Sequence, residues 1–466
     1  MSAAVAPLGG VAMDKPARGH AGIRAPGHPM WTPAHRVRWL SPTELLRTGL
    51  MSVVSEVFGK YSDKRELQQG EMFDQGRYFD HGEPTGPDGE FWLDYVSDVG
   101  DGFDATFTVA RMLAGAVELP DGDADGPLPR GSVLVMGGDE VYPAGNVDAY
   151  EQRTTIVYEM ALPPGSVPEA ERPALYAVPG NHDWYDGLTA FLRVFAQCHD
   201  IGGWRTRQRR SYFALKLPRN WWLVAVDIQL DTYLDAPQLR YFEQVADEMA
   251  DGDEPASVIL CTAAPCWYQA GDGDDSSLAR LLSFFRTVLH CPDAENKPVV
   301  RLVLTGDAHH YARYTQATSH GEPVSDGQVL LTAGHGGAFC ASTHSLNPEP
   351  IQLPVEMADP AAPVRPDDPV TNTYELAADR TWPRMSDSRM EASRIFGRLL
   401  DNGWFLPVLC LVHLVMGAAV LSRSVVLGCA VAAAVAVSCY GFADPRRAGR
   451  GKKFRYGLLL GVPQLL

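Results

Sequence analysis

The stretch ALYAVPGNHD, residues 174–183, decides how this chain reads. Five apolar residues make a short buried strand, Pro179 and Gly180 end it, and Asn181, His182 and Asp183 stand on the turn that follows. An Asn-His-Asp run between AVP and WYDG is hard to justify as structure alone. Working outward, FWLDYVSD (91–98), SVLVMGGD (132–139), WWLVAVD (221–227), SVILCTAAP (257–265), VVRLVLTGD (299–307) and QVLLTAGHGG (328–337) read as further short buried strands running into polar loops. Helical stretches intervene, such as 104–113 and 238–249. This alternation predicts an α/β sandwich with its active residues on loops at strand ends.

Five of those strand ends belong together: Asp98-Val99-Gly100, Gly138-Asp139-Glu140-Val141-Tyr142, Gly180-Asn181-His182-Asp183, Gly306-Asp307-Ala308-His309-His310 and Gly334-His335-Gly336-Gly337. Each presents Asp, Asn or His on a Gly turn. Carboxylate, amide and imidazole ligands gathered this way suit ions of the Mn, Fe or Zn kind. One carboxylate bridging two such ions is the usual arrangement for phosphoester hydrolysis.

Composition narrows the class. At 466 residues, 45% hydrophobic and 21% charged, the chain is long enough for two or three units and is neither collagen, a coiled-coil rod nor wholly disordered. A formal charge of −17 disfavours nucleic acid as the main partner, although an acidic protein still binds phosphates through metal ions. Eight cysteines without a CxxC spacing read as reduced thiols, and the N-terminus lacks the continuous apolar core of a secretory signal.

With these motifs in place, residues 90–340 resemble the calcineurin-like metallophosphoesterases, in the variant with DxG and GDxxY motifs seen in purple acid phosphatases. The resemblance implies a four-layer α/β/β/α sandwich and two divalent or mixed-valence metal ions (Mn, Fe or Zn). Carried over by position, Asp98, Tyr142 and His309 would bind the first metal, Asp139 would bridge, and Asn181 would bind the second. His182 would protonate or stabilise the leaving oxygen, with Asp183 orienting it. The chain departs from the pattern twice: Asp307 replaces the first His of the last motif, and Ala263 stands where the lone histidine falls. The second metal then keeps Asp139, Asn181 and Asp307, with His310 or His335 as substitutes and Asp101 a further candidate near the first site. Tyr142 is read either as a ligand or as packing beside Pro143, and Asp227 as a strand-end cap.

Around this body, residues 1–40 read as a flexible N-terminus, and 41–344 as the phosphoesterase domain with an N-terminal helical extension capped by Ser41. Residues 345–402 read as a Pro-rich connector and a helix over 386–402. In 403–466, GWFLPVLCLVHLVMGAAVL (403–421) and VVLGCAVAAAVAVSCYGFA (425–443) are each 19 residues without a charge, enough to cross a bilayer as a helical hairpin. Six cations between Arg446 and Arg455 put that end, and so the body, on the cytoplasmic side. The final YGLLLGVPQLL reads as an interfacial end or a truncated third span. Arg205, Arg207, Arg209 and Arg210 form the soluble part's basic cluster: a solvated hairpin, or a contact for substrate phosphate or anionic lipid.

The expected function is therefore a membrane-anchored, cytoplasm-facing phosphoesterase. It would hydrolyse a phosphomono- or diester of a small molecule or lipid headgroup with a metal-activated water. The alternative is a catalytically degenerate domain that senses a ligand for its membrane segment.

Overall fold

The computed structural model describes residues 25–394, with short breaks of which 52–77 is the longest, and residues 405–421. Thirteen strands are described: Phe79–Asp80 (β1), Leu93–Val96 (β2), Val133–Met136 (β3), Ala174–Ala177 (β4), Arg205–Thr206 (β5), Phe213–Leu217 (β6), Trp221–Ala225 (β7), Ser257–Cys261 (β8), Val299–Thr305 (β9), Tyr311–Ala317 (β10), Val329–Ala333 (β11), Ile351–Pro354 (β12) and Thr371–Leu376 (β13). They form two sheets. One is four-stranded and parallel, in the order β2-β3-β4-β5; the other is nine-stranded and mixed, in the order β1-β6-β7-β8-β9-β11-β10-β13-β12. All seven strands expected from the sequence are present; each starts within two residues of the quoted stretch and ends two to six residues before it, where the polar loop begins.

Two-residue periodicity builds the layers, because alternate side chains leave opposite faces of a sheet. In β3, Val133 and Val135 enter a core between the sheets, while Leu134 and Met136 enter an outer core. β4 repeats this with Ala174 and Tyr176 inward and Leu175 and Ala177 outward. From the large sheet, Leu223 and Ala225 of β7 meet that inner core, and Trp222 and Val224 turn to the other outer core. Helices Phe103–Leu113 (α1) and Thr189–Phe195 (α2) cover the small sheet. Helices Ala236–Ala250 (α3) and Ser276–Phe284 (α4) cover the large one. In α3, Asp235 caps the Gln238 N–H at 3.0 Å, and Tyr241, Phe242, Val245, Ala246 and Met249 recur at helical spacing on the buried face.

Two segments differ from the sequence reading. Residues 25–39 are docked rather than loose: Ala25, Trp31 and Val37 are buried, the Trp31 indole donates to the Gln152 carbonyl at 3.0 Å, and the Phe103 N–H donates to Ala34 O at 3.0 Å. Gly- and Pro-rich composition hid the few anchoring side chains. The Pro-rich connector also belongs to the body, since β12 and β13 pair with each other and β13 extends the sheet at β10. Leu353, Met357 and Tyr374 are fully buried, and the Gln328 amide binds the Val300 and Met357 carbonyls and accepts from the Tyr374 hydroxyl. Of the helix expected over 386–402, Met385–Ser393 is helical, and residues 395–402 lie outside the described residues. Toward the C-terminus, Phe405–Leu421 is a 17-residue helix, and no helix among the described residues is long and apolar enough to cross a membrane. The second apolar stretch and the cations that follow lie outside the described residues.

At the sheet–sheet edge, His81 meets the Tyr176 hydroxyl at 2.9 Å. Burial first, and then Arg207, push its pKa down to about 4, so the folded state holds it neutral. Between its ordinary value and about 4 the unfolded chain takes up a proton that the folded chain refuses, so stability falls with pH across that window. Wild type is expected to lose more melting temperature between pH 7 and pH 5 than His81→Gln. Equal losses would exclude His81 as a source of acid sensitivity.

Candidate metal centre

The parallel strands of both sheets end at one rim, and the polar turns leave from there. Asp98, Asp139, Asp307 and His309 all adopt left-handed backbone, with φ of 60°, 55°, 61° and 49°. Such conformations are uncommon outside glycine and cluster where a site dictates them. Neighbouring turns are stitched by backbone: Asp98 N–H donates to Gly138 O and Val99 N–H to Asp139 O, both at 2.9 Å. Close approach excludes side chains beside the carboxylates. A Cβ at Gly180 would lie 2.1 Å from Asp139 Oδ1, and one at Gly306 would lie 2.1 Å from Ser97 Oγ and 2.8 Å from Asp98 Oδ2.

Four side chains converge at this rim. The Tyr142 hydroxyl lies 2.8 Å from Asp98 Oδ1, 3.0 Å from Asp139 Oδ2 and 3.1 Å from His309 Nε2. His309 Nε2 is 3.3 Å from Asp98 Oδ1, and one ligating atom each from Asp98, Asp139 and His309 falls within 4.8 Å of the others. His309 Nδ1 lies 3.0 Å from the Phe339 carbonyl, which can only accept, so Nδ1 carries a proton and Nε2 is the nitrogen that faces the carboxylates. The phenol hydroxyl thus stands among two carboxyl oxygens and an imidazole nitrogen. Burial, then Asp98, Asp183 and Asp307, push the Asp139 carboxyl up, and burial, then Asp139 and Asp98, push the Tyr142 phenol up. A buried cluster of acceptors raised by its own mutual repulsion fits a cation.

Asn181 opens a single helical turn, Asn181–Trp184, whose N-terminal amides point at Asp139: the His182 N–H donates to Asp139 Oδ1 at 2.9 Å. The Asn181 NH2 group donates to the Tyr185 hydroxyl at 3.3 Å, leaving its oxygen 3.2 and 3.1 Å from the Asp139 oxygens. Turning the amide over would relieve these facing acceptors; so would a cation between them. Asp307 is exposed beside this pair, its N–H donating to Asp98 Oδ2 at 3.0 Å and its charge acting on Asp139 and Tyr142.

His182 stands against Tyr142, ring centroids 4.6 Å apart. Its Nδ1 lies 2.8 Å from the Pro143 carbonyl, and burial lowers its pKa to about 4. The Pro143 carbonyl thus orients the ring where the sequence reading expected Asp183 to do so. Asp183 is instead fully buried behind the site, where Gly180, Asp139 and Glu140 donate backbone N–H groups to it and the Tyr150 hydroxyl donates to Oδ1.

The remaining candidates lie elsewhere. Ala263 is buried where the lone histidine was expected, close enough that a Cβ on Gly138 would meet its methyl at 2.7 Å. His310 stacks on Tyr268, with Nε2 2.8 Å from that hydroxyl, and His335 reaches the Trp382 carbonyl at 3.0 Å. Asp101 accepts the Val37 N–H at 2.8 Å and so ties down the N-terminal segment. Asp227 accepts from the Trp184 indole and the Ser211 hydroxyl. Motif reading also missed contributors. The Ser97 hydroxyl donates to Asp98 Oδ2 at 2.6 Å, and Trp39 stands edge-on to Tyr142, His182 and Phe339 at centroid distances of 5.7, 5.8 and 6.1 Å. Only the Ser-Asp adjacency was visible in the sequence; nothing there connected Trp39 to the rim.

No protein-family model and no curated protein matches the chain. Among solved structures it is similar to a purple acid phosphatase, PPD1 from yellow lupin (Lupinus luteus) seeds, at 14% identity and a TM-score of 0.35, covering 54% of this chain and 45% of that one. It is also similar to PhoD, at 13% identity and a TM-score of 0.28, covering 53% of this chain and 56% of that one. The chain spans about half the length of each. Likeness at this level adds nothing to the chemistry, which rests on the residues at the rim.

Proposed function

We propose that this chain is a metal-dependent phosphoesterase of the calcineurin-like kind, built as a four-layer α/β/β/α sandwich. The observation that carries the reading is the convergence of Asp98, Asp139, His309 and Tyr142 on one buried point. Asp98, Tyr142 and His309 would hold one ion, Asp139 would be shared, and Asn181 and Asp307 would serve a second. Bound there, such ions would neutralise phosphoryl charge and lower the pKa of a water. The chain's own residues set the geometry: the His182 N–H donates to Asp139 Oδ1 and holds that carboxylate, and the His182 ring borders Tyr142. A phosphate beside His182 favours its protonated form, which donates to a leaving oxygen. Attachment to a membrane through 403–443, with the body cytoplasmic, is part of the proposal; two uncharged 19-residue stretches and the six cations after them support it. The substrate would be a phosphorylated small molecule or lipid headgroup.

A second reading has one specific observation in its favour. Ala263 offers no ligand where a second ion would want one, which suits a degenerate domain that binds without turning over.

One experiment separates the two. The full chain is expressed, soluble and alkaline-washed membrane fractions are separated, and bound metal and mono- and diester hydrolysis are measured on the fraction that carries it. Tightly bound Mn, Fe or Zn with turnover is expected in the membrane fraction. If iron occupies the Tyr142 position, a visible tyrosinate-to-iron absorption band is expected that Tyr142→Phe abolishes. A metal-free protein, inactive after Mn, Fe or Zn is added, would sink the enzyme reading, and full recovery in the soluble fraction would sink the anchor.

A further inference from the structure

The basic cluster singled out in the sequence is not absorbed by the metal centre. Its arginines line a separate cavity of about 550 Å³, within the range of small-molecule sites, and no proposed metal ligand lines it. Arg172, Arg205, Arg207, Arg209 and Arg210 face it, against Glu169 and Asp200 alone. In a chain of net charge −17, such a local excess of cations is costly to assemble without an anionic partner.

The cluster is ordered in two tiers. Arg172 is fixed by Glu169 at 3.2 Å, Asp200 at 2.6 Å and the Gly203 carbonyl at 3.2 Å, and Arg205 pairs with Glu169. These pairs use up both carboxylates. Arg210 lies over the Tyr241 ring at 4.7 Å. Arg207 and Arg209 are exposed and form no ion pair among the described residues. Between them Gln208 is 1% exposed, its amide bound to Ala177 N–H at 2.6 Å, Ala177 O at 2.8 Å and Arg210 O at 2.8 Å. The buried Gln208 side chain pins the backbone between them, and Arg207 and Arg209 both reach the cavity from that fixed segment. With the backbone held in this way, less ordering entropy is lost when an anion is clamped. Arg207 also helps depress the His81 pKa, which shows its field reaching inward.

We propose that this cavity binds a ligand carrying two or more clustered phosphate groups, held by Arg207 and Arg209 with Arg210 beside them. Guanidinium groups suit phosphate oxygens because their N–H forks match them in pairs. The ligand's source is either a soluble polyphosphate compound or a multiply phosphorylated lipid headgroup. The site stands independently of the phosphoesterase reading.

The test uses the full chain titrated calorimetrically with inorganic tripolyphosphate, and sedimented with phosphatidylcholine vesicles with and without phosphatidylinositol bisphosphate. Saturable binding is expected in at least one arm. Arg207→Gln/Arg209→Gln should weaken it at least about tenfold, the scale of losing charged hydrogen bonds, with melting temperature and ester hydrolysis unchanged. Asp139→Asn should leave it intact, which separates this site from the metal centre. Binding of tripolyphosphate identifies a soluble ligand, and extra sedimentation only with the phosphoinositide identifies a headgroup. Binding in neither arm, or binding lost in Asp139→Asn but kept in the double arginine variant, would overturn the proposal.

Discussion

Asp139→Asn is expected to strip most bound metal and to lower phosphoester hydrolysis by about a hundred- to a thousandfold, the range for losing one key electrostatic contact. Both Asp139 oxygens are engaged at the site, Oδ1 with the His182 N–H at 2.9 Å and Oδ2 with the Tyr142 hydroxyl at 3.0 Å. Asparagine keeps the shape but replaces one oxygen with an NH2 group and removes the charge. The backbone contacts of residue 139, to Val99 and to Asp183, do not involve its side chain and should survive. Stability is expected to move the other way. In chelator the variant should melt no lower than wild type, because the substitution relieves repulsion from Asp98, Asp183 and Asp307. Elemental analysis, hydrolysis assays and thermal unfolding in chelator check the three parts. Wild-type metal content with activity within tenfold of wild type would remove Asp139 from the centre.

The two kinds of information in this chain were unequally legible. Strands such as VLVM (133–136) and ALYA (174–177) are visible because each is buried on both faces, so apolar character runs unbroken to a Gly turn. The rim residues are visible for a related reason: a strand end that needs no charge carries Asp98, Asp139 or His309. What stayed hidden depends on contacts distant in sequence. Trp39 reaches Tyr142 and His182 across more than a hundred residues, and no local pattern announces it. β12 and β13 were obscured by proline and acid between them, although Ile351 and Leu353, then Tyr374 and Leu376, keep the strand period. Ala263 is a different case. The sequence shows what is missing there, and the structure shows that methyl packed over Gly138, with neither His310 nor His335 directed to replace it.

The largest loss of stability is expected from a residue that touches no proposed metal. Asp183→Ala should cost about 3–5 kcal/mol, from several buried donors left without an acceptor. Asp183 Oδ2 accepts the N–H groups of Gly180 at 2.8 Å and Asp139 at 2.9 Å, the Glu140 N–H lies 3.3 Å from Oδ1, and the Tyr150 hydroxyl donates to Oδ1. One carboxylate thus ties the turn carrying Asn181 to the turn carrying Asp139. Its neighbour Glu140 explains how two buried acids coexist there. Glu140 Oε1 accepts the Gly138 N–H at 3.0 Å, whereas Oε2 meets no donor, and burial, then Asp183, push that carboxyl well up. Burial pushes the Asp183 carboxyl up as well, but its hydrogen-bond donors pull it back, so the negative charge is better held on Asp183 than on Glu140. Against a total stability of about 5–15 kcal/mol, losing this clasp leaves little margin, so Asp183→Asn is the companion variant. Asparagine keeps one acceptor and should fold with a lower urea midpoint. Because the Pro143 carbonyl orients His182, folded Asp183→Asn is expected to retain the wild-type pH profile of hydrolysis. A shifted profile at unchanged stability would return Asp183 to the role of orienting His182, and an Asp183→Ala protein as stable as wild type would show that the turns hold together without it.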